Sequence, residues 1–79
     1  MSDSEQIIEY ITEELLDGEE VEADESLFRS QLLDSMSLTS LIVFLEETYG
    51  IKIGAMDISY DNLDTVELIV KFIDRKRSG

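Results

Sequence analysis

Ser35 is the side chain with the strongest case for chemistry in this sequence. It follows Asp34, a favoured helix N-cap residue, and stands at the start of an apolar-periodic stretch that runs to Tyr49. Backbone N–H groups and the positive end of a helix dipole favour a phosphate attached at such a position. Because the chain contains no histidine to activate the hydroxyl, a modification site is a better interpretation than a catalytic triad. The Asp-Ser pair alone gives weak support, since most serines in this context only help to cap a helix.

Further candidate residues lie on the outward face of the same predicted helix. At about 100° per residue, one side of the helix is a core stripe formed by Leu38, Leu41, Ile42, Leu45 and Tyr49. The opposite side carries two apolar residues among polar and acidic ones: Met36, Ser40, Val43, Glu46 and Glu47. Isolated exposed apolar residues are common, but an apolar pair ringed by acids and close to Ser35 favours a partner-binding surface.

The elements that must position these residues are helices. Ser2 and Glu5 have the spacing of a capping box, and Asp17-Gly18 ends the pattern that follows, which predicts a first helix over about residues 3–16. Residues 19–33 are acidic and then irregularly apolar, which indicates a long loop pinned by Val21, Leu27, Phe28, Leu32 and Leu33. Asp34 as a cap and Gly50 as a stop delimit a second helix over residues 34–49.

The second half of the chain predicts one short and one longer helix. After the apolar anchors Ile51 and Ile53, turn residues leave room only for a short helix near residues 57–62. Asp64 and Glu67 repeat the capping spacing, and the stripe of a last helix ending near Arg75 consists of Val66, Ile69, Val70 and Ile73. We therefore predict an all-α fold, a small bundle of three main helices plus one short helix, in a single domain 1–79 with an ordered core of about 3–75.

Composition excludes most kinds of catalysis. A chain of 79 residues has little room for a deep catalytic cleft. Because cysteine and histidine are both absent, disulfides, cysteine nucleophiles and thiolate or imidazole metal ligands are excluded. The segment Asp57-Ile58-Ser59-Tyr60-Asp61 alternates oxygen-bearing side chains but lacks the glycine and the closing glutamate of a calcium-binding loop. We predict no catalytic residues, no dedicated metal site and no enzyme activity.

The charge balance constrains the partners. With 19 acids and 6 bases, the chain has a formal charge of −13, which should repel nucleic acid and anionic membranes and attract partners with positive patches. Residues 1–25 hold eleven acids and no base, whereas four bases cluster near the other end: Lys71, Arg75, Lys76 and Arg77. No basic segment followed by an apolar run begins the chain, and no stretch approaches the ~20 apolar residues of a membrane span. These features favour a soluble, cytoplasmic monomer that does not insert into membranes.

Several short motifs together resemble the acyl carrier protein family, whose members bind phosphopantetheine and include D-alanyl and stand-alone peptidyl carriers. The central motif consists of Leu32-Leu33-Asp34-Ser35-Met36, Leu41, Leu45-Glu46-Glu47, Tyr49-Gly50-Ile51 and Ile53. Upstream, Glu25-Ser26-Leu27-Phe28 resembles the loop anchor of the family. Downstream, Asn62-Leu63-Asp64-Thr65-Val66 with Ile69 and Ile73 resembles the start and core of its last helix. The resemblance covers nearly the whole chain and implies an acyl-carrier-like bundle.

The resemblance also implies a function. A phosphopantetheinyl transferase would attach phosphopantetheine from coenzyme A to Ser35, and Asp34 would help to position the metal ion and substrate of that transferase. The terminal thiol would hold an acyl or aminoacyl group as a thioester, which a ligase loads and a downstream transferase or synthase receives, each docking on the second helix through basic patches.

The cargo stays open at this point. Ser37 and Ser40 stand where acyl carriers of fatty acid synthesis commonly have acids, which favours a specialised fatty acid, polyketide or aminoacyl pathway. An aminoacyl, D-alanyl or peptidyl carrier is one alternative. A non-catalytic acidic adaptor that binds a basic protein without any prosthetic group is another.

Overall fold

The computed structural model describes residues 2–78, which form four helices and no strand within that range. Helix α1, Asp3–Tyr10, continues into a π-helical turn, Ile11–Leu15. Helix α2 is Ser35–Tyr49, a 3-10 turn is Ala55–Asp57, helix α3 is Tyr60–Leu63 and helix α4 is Val66–Ser78. Helix α4 packs against both α1 and α3. The predicted all-α bundle of three main helices and one short helix is confirmed.

The predicted caps of α1 and α2 are present. Ser2 Oγ accepts a hydrogen bond from the N–H of Glu5 at 3.2 Å, and the Glu5 carboxylate accepts one from the N–H of Ser2 at 3.4 Å, which completes the capping box. At the start of α2, Asp34 Oδ1 accepts the N–H of Ser37 at 2.8 Å. Gly50 ends α2 in the left-handed region with a φ of 66°, which glycine adopts without a Cβ clash.

The last turn after α1 is wider than the α-helix that the sequence predicts over residues 3–16. The N–H of Leu16 donates to the carbonyl of Ile11, five residues earlier, at 3.0 Å. The carbonyl of Thr12 instead accepts the N–H of Gly18 at 2.7 Å. Asp17 and Gly18 follow with φ values of 52° and 93°, so the chain leaves the helix where the sequence predicts.

The hydrophobic core draws on all four helices and on the long loop. Its buried residues are Ile7, Ile11, Val21, Leu27, Leu33, Leu41, Leu45, Ile51, Leu63, Val66, Ile69, Phe72 and Ile73. The long loop contributes three of them, with Phe28 and Leu32 packed against the cluster, so the predicted pinning of the loop is confirmed. Of the core stripe predicted for α2, Leu41 and Leu45 are buried, whereas Leu38, Ile42 and Tyr49 are half-buried.

The starts of two helices differ from the prediction because side chains near them make other contacts. The predicted helix near residues 57–62 is shifted to α3, because Asp57 closes the 3-10 turn: its Oδ2 accepts the N–H of Gly54 at 3.0 Å and lies 2.8 Å from Lys76 Nζ. Helix α4 starts after Thr65, whose Oγ1 accepts the N–H of Leu68 at 3.1 Å, and not after Asp64.

Helix α4 also extends beyond the predicted end at Arg75, to Ser78, with three bases in its last turn, where they complement the helix dipole. Among the described residues, no helix is both long and apolar enough to cross a lipid bilayer.

Candidate functional site

Ser35 is the first residue of α2, and its side chain is exposed. The carboxylate before it is fixed in place, since Asp34 accepts the N–H of Ser37. That backbone hydrogen bond lowers the pKa of Asp34 below its ordinary value, so the group is ionised at neutral pH. The predicted pairing of an accessible hydroxyl with a cap carboxylate at a helix N-terminus is therefore what the fold presents.

An open cleft of about 750 Å³ lies beside Ser35. It has three walls: the end of the long loop, the first turn of α2 and the segment around the start of α3. The apolar part of the lining consists of Phe28, Leu33, Leu38, Ile58, Tyr60 and Leu63, and the polar part of Gln31, Asp34, Ser35 and Ser59. An apolar cleft with a few polar groups is the usual form of a small-ligand site.

The loop wall of this cleft is held by the carboxylate of Asp64, which is only 7% exposed. Its Oδ1 accepts the N–H groups of Phe28 and Arg29 at 2.9 and 3.0 Å, and its Oδ2 accepts the hydroxyl of Ser26 at 2.8 Å. Burial alone would raise the pKa of Asp64, but these three hydrogen bonds lower it below its ordinary value. Asp64 therefore serves the loop and does not cap α4 as the sequence predicts.

Two backbone hydrogen bonds add to this attachment. The N–H of Leu27 donates to the carbonyl of Asp64 at 2.6 Å, and the N–H of Glu67 donates to the carbonyl of Ala23 at 3.0 Å. The second bond satisfies an N–H group in the first turn of α4 that has no partner within the helix. The loop that borders the cleft is thus hydrogen-bonded directly to the first turn of the last helix and to the residue Asp64 before it.

Arg29 connects the loop wall to the segment at the start of α3. Its guanidinium lies 5.1 Å from the centroid of the Tyr60 ring, and its Nη2 lies 3.8 Å from Asp61 Oδ1. The Arg29 and Asp61 side chains are 61% and 94% exposed, so their ion pair is weak. Arg29 is not among the site residues that the sequence predicts, although it is the one base in residues 1–51, a signal that could have singled it out.

The outward face of α2 is largely as predicted. Met36 is 80% exposed and Val43 is 47% exposed, and Ser40 and Glu47 are also exposed. Glu46 differs, because it is half-buried and its Oε2 accepts the N–H of Ile53 at 2.9 Å. This hydrogen bond directs Glu46 toward the segment after α2 and away from the other four residues.

One edge of the outward face is fixed by aromatic contacts with α1. The Tyr10 ring stacks on Phe44 with centroids 4.0 Å apart, and the Tyr10 hydroxyl donates to the carbonyl of Ser40 at 3.2 Å. Burial raises the pKa of Tyr10, with the nearby Glu14 charge as a smaller cause, so the hydroxyl keeps its proton and remains a donor. The stack limits movement of α1 relative to the middle of α2.

A second group of exposed apolar side chains precedes and begins α3. Met56 is 96% exposed, and Ile58 and Tyr60, which line the cleft, are 41% and 52% exposed. The sequence predicts only a turn and a short helix for this segment. The signal was three large apolar residues at every second position, a spacing that buries no helical face.

Comparison with known proteins places these features in a family. The family described as "Phosphopantetheine attachment site" matches residues 5–73 of the chain. D-alanyl carrier proteins from Streptococcus pyogenes serotype M5 (strain Manfredo), serotype M49 (strain NZ131) and serotype M1 are each 34% identical to the chain over 74 residues. These matches cover 94% of this chain and 94% of each relative.

Proposed function

The chain belongs to the family of phosphopantetheine-binding carrier proteins, and from this premise we propose that it holds an aminoacyl group as a thioester on a phosphopantetheine arm attached to Ser35. The observation that carries the proposal is the exposed Ser35 hydroxyl at the N-terminus of α2, beside an ionised Asp34 and a cleft of about 750 Å³. No deep catalytic site is required of such a protein, because the enzymes that load and unload it supply the chemistry.

The residues present fit an attached phosphopantetheine group. Ser35 offers the oxygen for the phosphate ester, and its place in the first turn of α2 puts the phosphate near free backbone N–H groups and the positive end of the helix. Asp34 would assist the phosphopantetheinyl transferase by helping to hold its metal ion and coenzyme A. The arm supplies a terminal thiol, which a chain without cysteine cannot provide itself.

Two observations support an aminoacyl cargo over the acyl cargo of fatty acid synthesis. The relatives reported above are D-alanyl carrier proteins. In addition, Ser37 and Ser40 give the first two turns of α2 no acid after Ser35, unlike common acyl carriers of fatty acid synthesis.

The docking surface that we propose for partner enzymes consists of the exposed residues on the outward face of α2: Met36, Ser40, Val43 and Glu47. These partners are the phosphopantetheinyl transferase, an aminoacyl-loading ligase and a downstream transferase, each with a basic patch that complements the charge of −13. Glu46 belongs to this surface in the sequence-based prediction, but its hydrogen bond to Ile53 leaves it a secondary role. Within this proposal the carrier acts in the cytoplasm as a single 1–79 domain and a monomer.

The attachment proposal is tested by incubating the protein with coenzyme A and a broad-specificity transferase and measuring the intact mass. We expect the wild-type mass to rise by one phosphopantetheine group and the Ser35→Ala mass to stay unchanged. Ser37→Ala, two residues further along α2, is the matched control and should be modified like the wild type. Modification of the Ser35→Ala variant would show that the group is attached to another residue. No modification of wild type with several transferases would reject the carrier function and favour the acidic adaptor.

The cargo is tested on holo-protein isolated from its native cell. Hydroxylamine cleaves thioesters, and mass spectrometry of the released hydroxamate identifies the group. An amino acid hydroxamate is the expected product. A fatty acyl or polyketide hydroxamate would retain the carrier function and reject the aminoacyl cargo.

A further inference from the structure

We propose that Arg29 is the cationic partner of the phosphodiester formed at Ser35, and that it exchanges Asp61 for that group when the arm is attached. This inference rests on the proposed attachment of phosphopantetheine to Ser35. It assigns a specific role to a base that contacts Tyr60, one of the residues that line the cleft.

The position of Arg29 supports the exchange. Its neighbours Phe28 and Gln31 line the loop wall, and its guanidinium lies over Tyr60, which lines the same cleft as Ser35. The backbone of Arg29 is fixed by its N–H bond to Asp64 at 3.0 Å. The side chain is 61% exposed, so a long flexible cation extends from a hydrogen-bonded backbone position in the loop wall.

The present partner of Arg29 is easily replaced. The distance to Asp61 Oδ1 is 3.8 Å, at the long end for an ion pair, and the Asp61 carboxylate is almost fully exposed. Exposed pairs of this kind contribute little to stability. A phosphate oxygen pair matches the guanidinium fork better than a distant single carboxylate oxygen, and the contact with the Tyr60 ring can persist during the exchange.

The negative charge around Ser35 favours the exchange of partners. Attachment adds a negative phosphodiester next to ionised Asp34, in a chain whose formal charge is already −13. The bases at the end of α4 have partners of their own, since Lys76 contacts Asp57, Arg77 contacts Asp3 and Arg75 donates to Asn62. Arg29, whose guanidinium contacts the cleft-lining Tyr60, can therefore offset the new charge, which would otherwise repel Asp34.

The test uses phosphorus-31 NMR of the modified protein, after intact mass has shown that one phosphopantetheine group is present. The phosphodiester resonance reports its own surroundings and does not depend on any activity. We expect it to shift in Arg29→Gln, to return partway in Arg29→Lys, and to stay at the wild-type position in the control Arg75→Gln. Asp61→Asn should not move it toward the Arg29→Gln position, because that change removes only the competitor.

A second measurement needs no variant. The Nε–Hε signal of Arg29 in nitrogen-15-labelled wild type should move on modification, while that of Arg75 stays in place. Identical phosphorus resonances in wild type and Arg29→Gln, or an unmoved Arg29 signal, would overturn the proposal. Arg29 would then be only an ion-pair partner of Asp61. If wild type gains no phosphopantetheine at Ser35, the mass shows it before any NMR, and the proposed function and this inference fall together.

Discussion

At the scale of single residues, Asp64 positions the cleft without lining it. Its carboxylate takes hydrogen bonds from Ser26, Phe28 and Arg29, so the loop wall depends on one side chain at the start of α4. Three donors share two oxygens, and all three would lose a partner together if the carboxylate were removed. Residues of this kind act on a functional site through the backbone they hold.

Truncating the Asp64 side chain should therefore lower the free energy of unfolding more than the small size of the side chain suggests. Asp64→Ala leaves two partly buried N–H groups and one hydroxyl without an acceptor, and we expect a loss of about 1–3 kcal/mol in the free energy of unfolding measured with urea. Asp64→Asn keeps one amide oxygen for the two N–H groups and should lose less than about 1 kcal/mol. An alanine variant as stable as wild type would show that water replaces the carboxylate fully.

The lowered pKa of Asp64 predicts an acid dependence with a definite sign. A group whose pKa falls on folding stabilises the folded state above its unfolded value of ~3.9, and this contribution disappears as the pH drops through the lower folded value. Asp34 and Asp57 shift in the same direction. We expect the stability difference between wild type and Asp64→Asn to shrink below about pH 4. A difference that stays constant from pH 7 to pH 3 would contradict the assignment.

Local spacing explains which site residues the sequence could predict. Asp34 accepts the N–H of Ser37 within one turn, and Ser35 lies between them, so the cap and the proposed modification site can be predicted from adjacent residues. The partners of Asp64 lie 35 to 38 residues away, and its own flanking sequence looks like an ordinary helix cap. Nothing local distinguishes the two roles, and only the packing of the loop on α4 decides between them.

At the scale of elements, α2 separates its packing residues from its exposed ones clearly. Leu41 and Leu45 are fully buried, while Met36 and Val43 face solvent on the other side. Helical periodicity predicts this division because both ends of α2 are capped by local motifs. The start of α3 could not be predicted in the same way, since the contact of Asp57 with Lys76 joins residues on different elements.

The outward face of α2 should control partner binding through two separable effects. Truncating the apolar pair in Met36→Ala/Val43→Ala should accelerate dissociation of the loading ligase about tenfold, as expected for a loss of ~1.4 kcal/mol. Glu47→Gln should instead slow association, and its association rate should depend less on salt than that of wild type. Glu46→Gln should change association less, because Glu46 is engaged with Ile53. Stopped-flow transfer kinetics measure all three.

The control for this surface is Glu13→Gln/Glu14→Gln, which removes two exposed acids from the turn after α1. It changes net charge without touching α2, and circular dichroism checks that every variant keeps its helices. Should the control impair transfer more than the α2 variants, the docking surface lies elsewhere, and the second apolar group at Met56 and Ile58 becomes the next candidate.

At the scale of the whole molecule, charge is distributed unevenly over the bundle. The last turn of α4 carries three bases, of which Lys76 and Arg77 contact Asp57 and Asp3. The eleven acids of residues 1–25 far outnumber such contacts, so repulsion outweighs attraction there. Composition alone predicts this excess, whereas the specific pairs depend on the fold that brings the last turn of α4 close to the start of α1.

Salt should accordingly stabilise this protein. Raising the ionic strength from low values to about 0.15 M shortens the screening length to ~8 Å and weakens repulsion among the exposed acids. We expect the melting temperature to rise by a few degrees, and Glu19→Gln/Glu20→Gln/Glu22→Gln to raise it at low salt and flatten its salt dependence. Asp57→Asn, which removes a pair with Lys76, is the opposite control and should lower it. A melting temperature that falls with salt would mean that ion pairs dominate.

The attachment of the loop to the start of α4 also determines the order in which parts of the molecule form and open. The backbone hydrogen bonds within α1, α2 and α4 join residues near in sequence, whereas the bonds to Asp64 must close a loop of more than thirty residues before they contribute. We therefore expect the loop wall to be completed late in folding and to be among the first regions that open transiently in the native protein. The wall that borders Ser35 can then yield to an incoming partner while the helical frame around it remains intact.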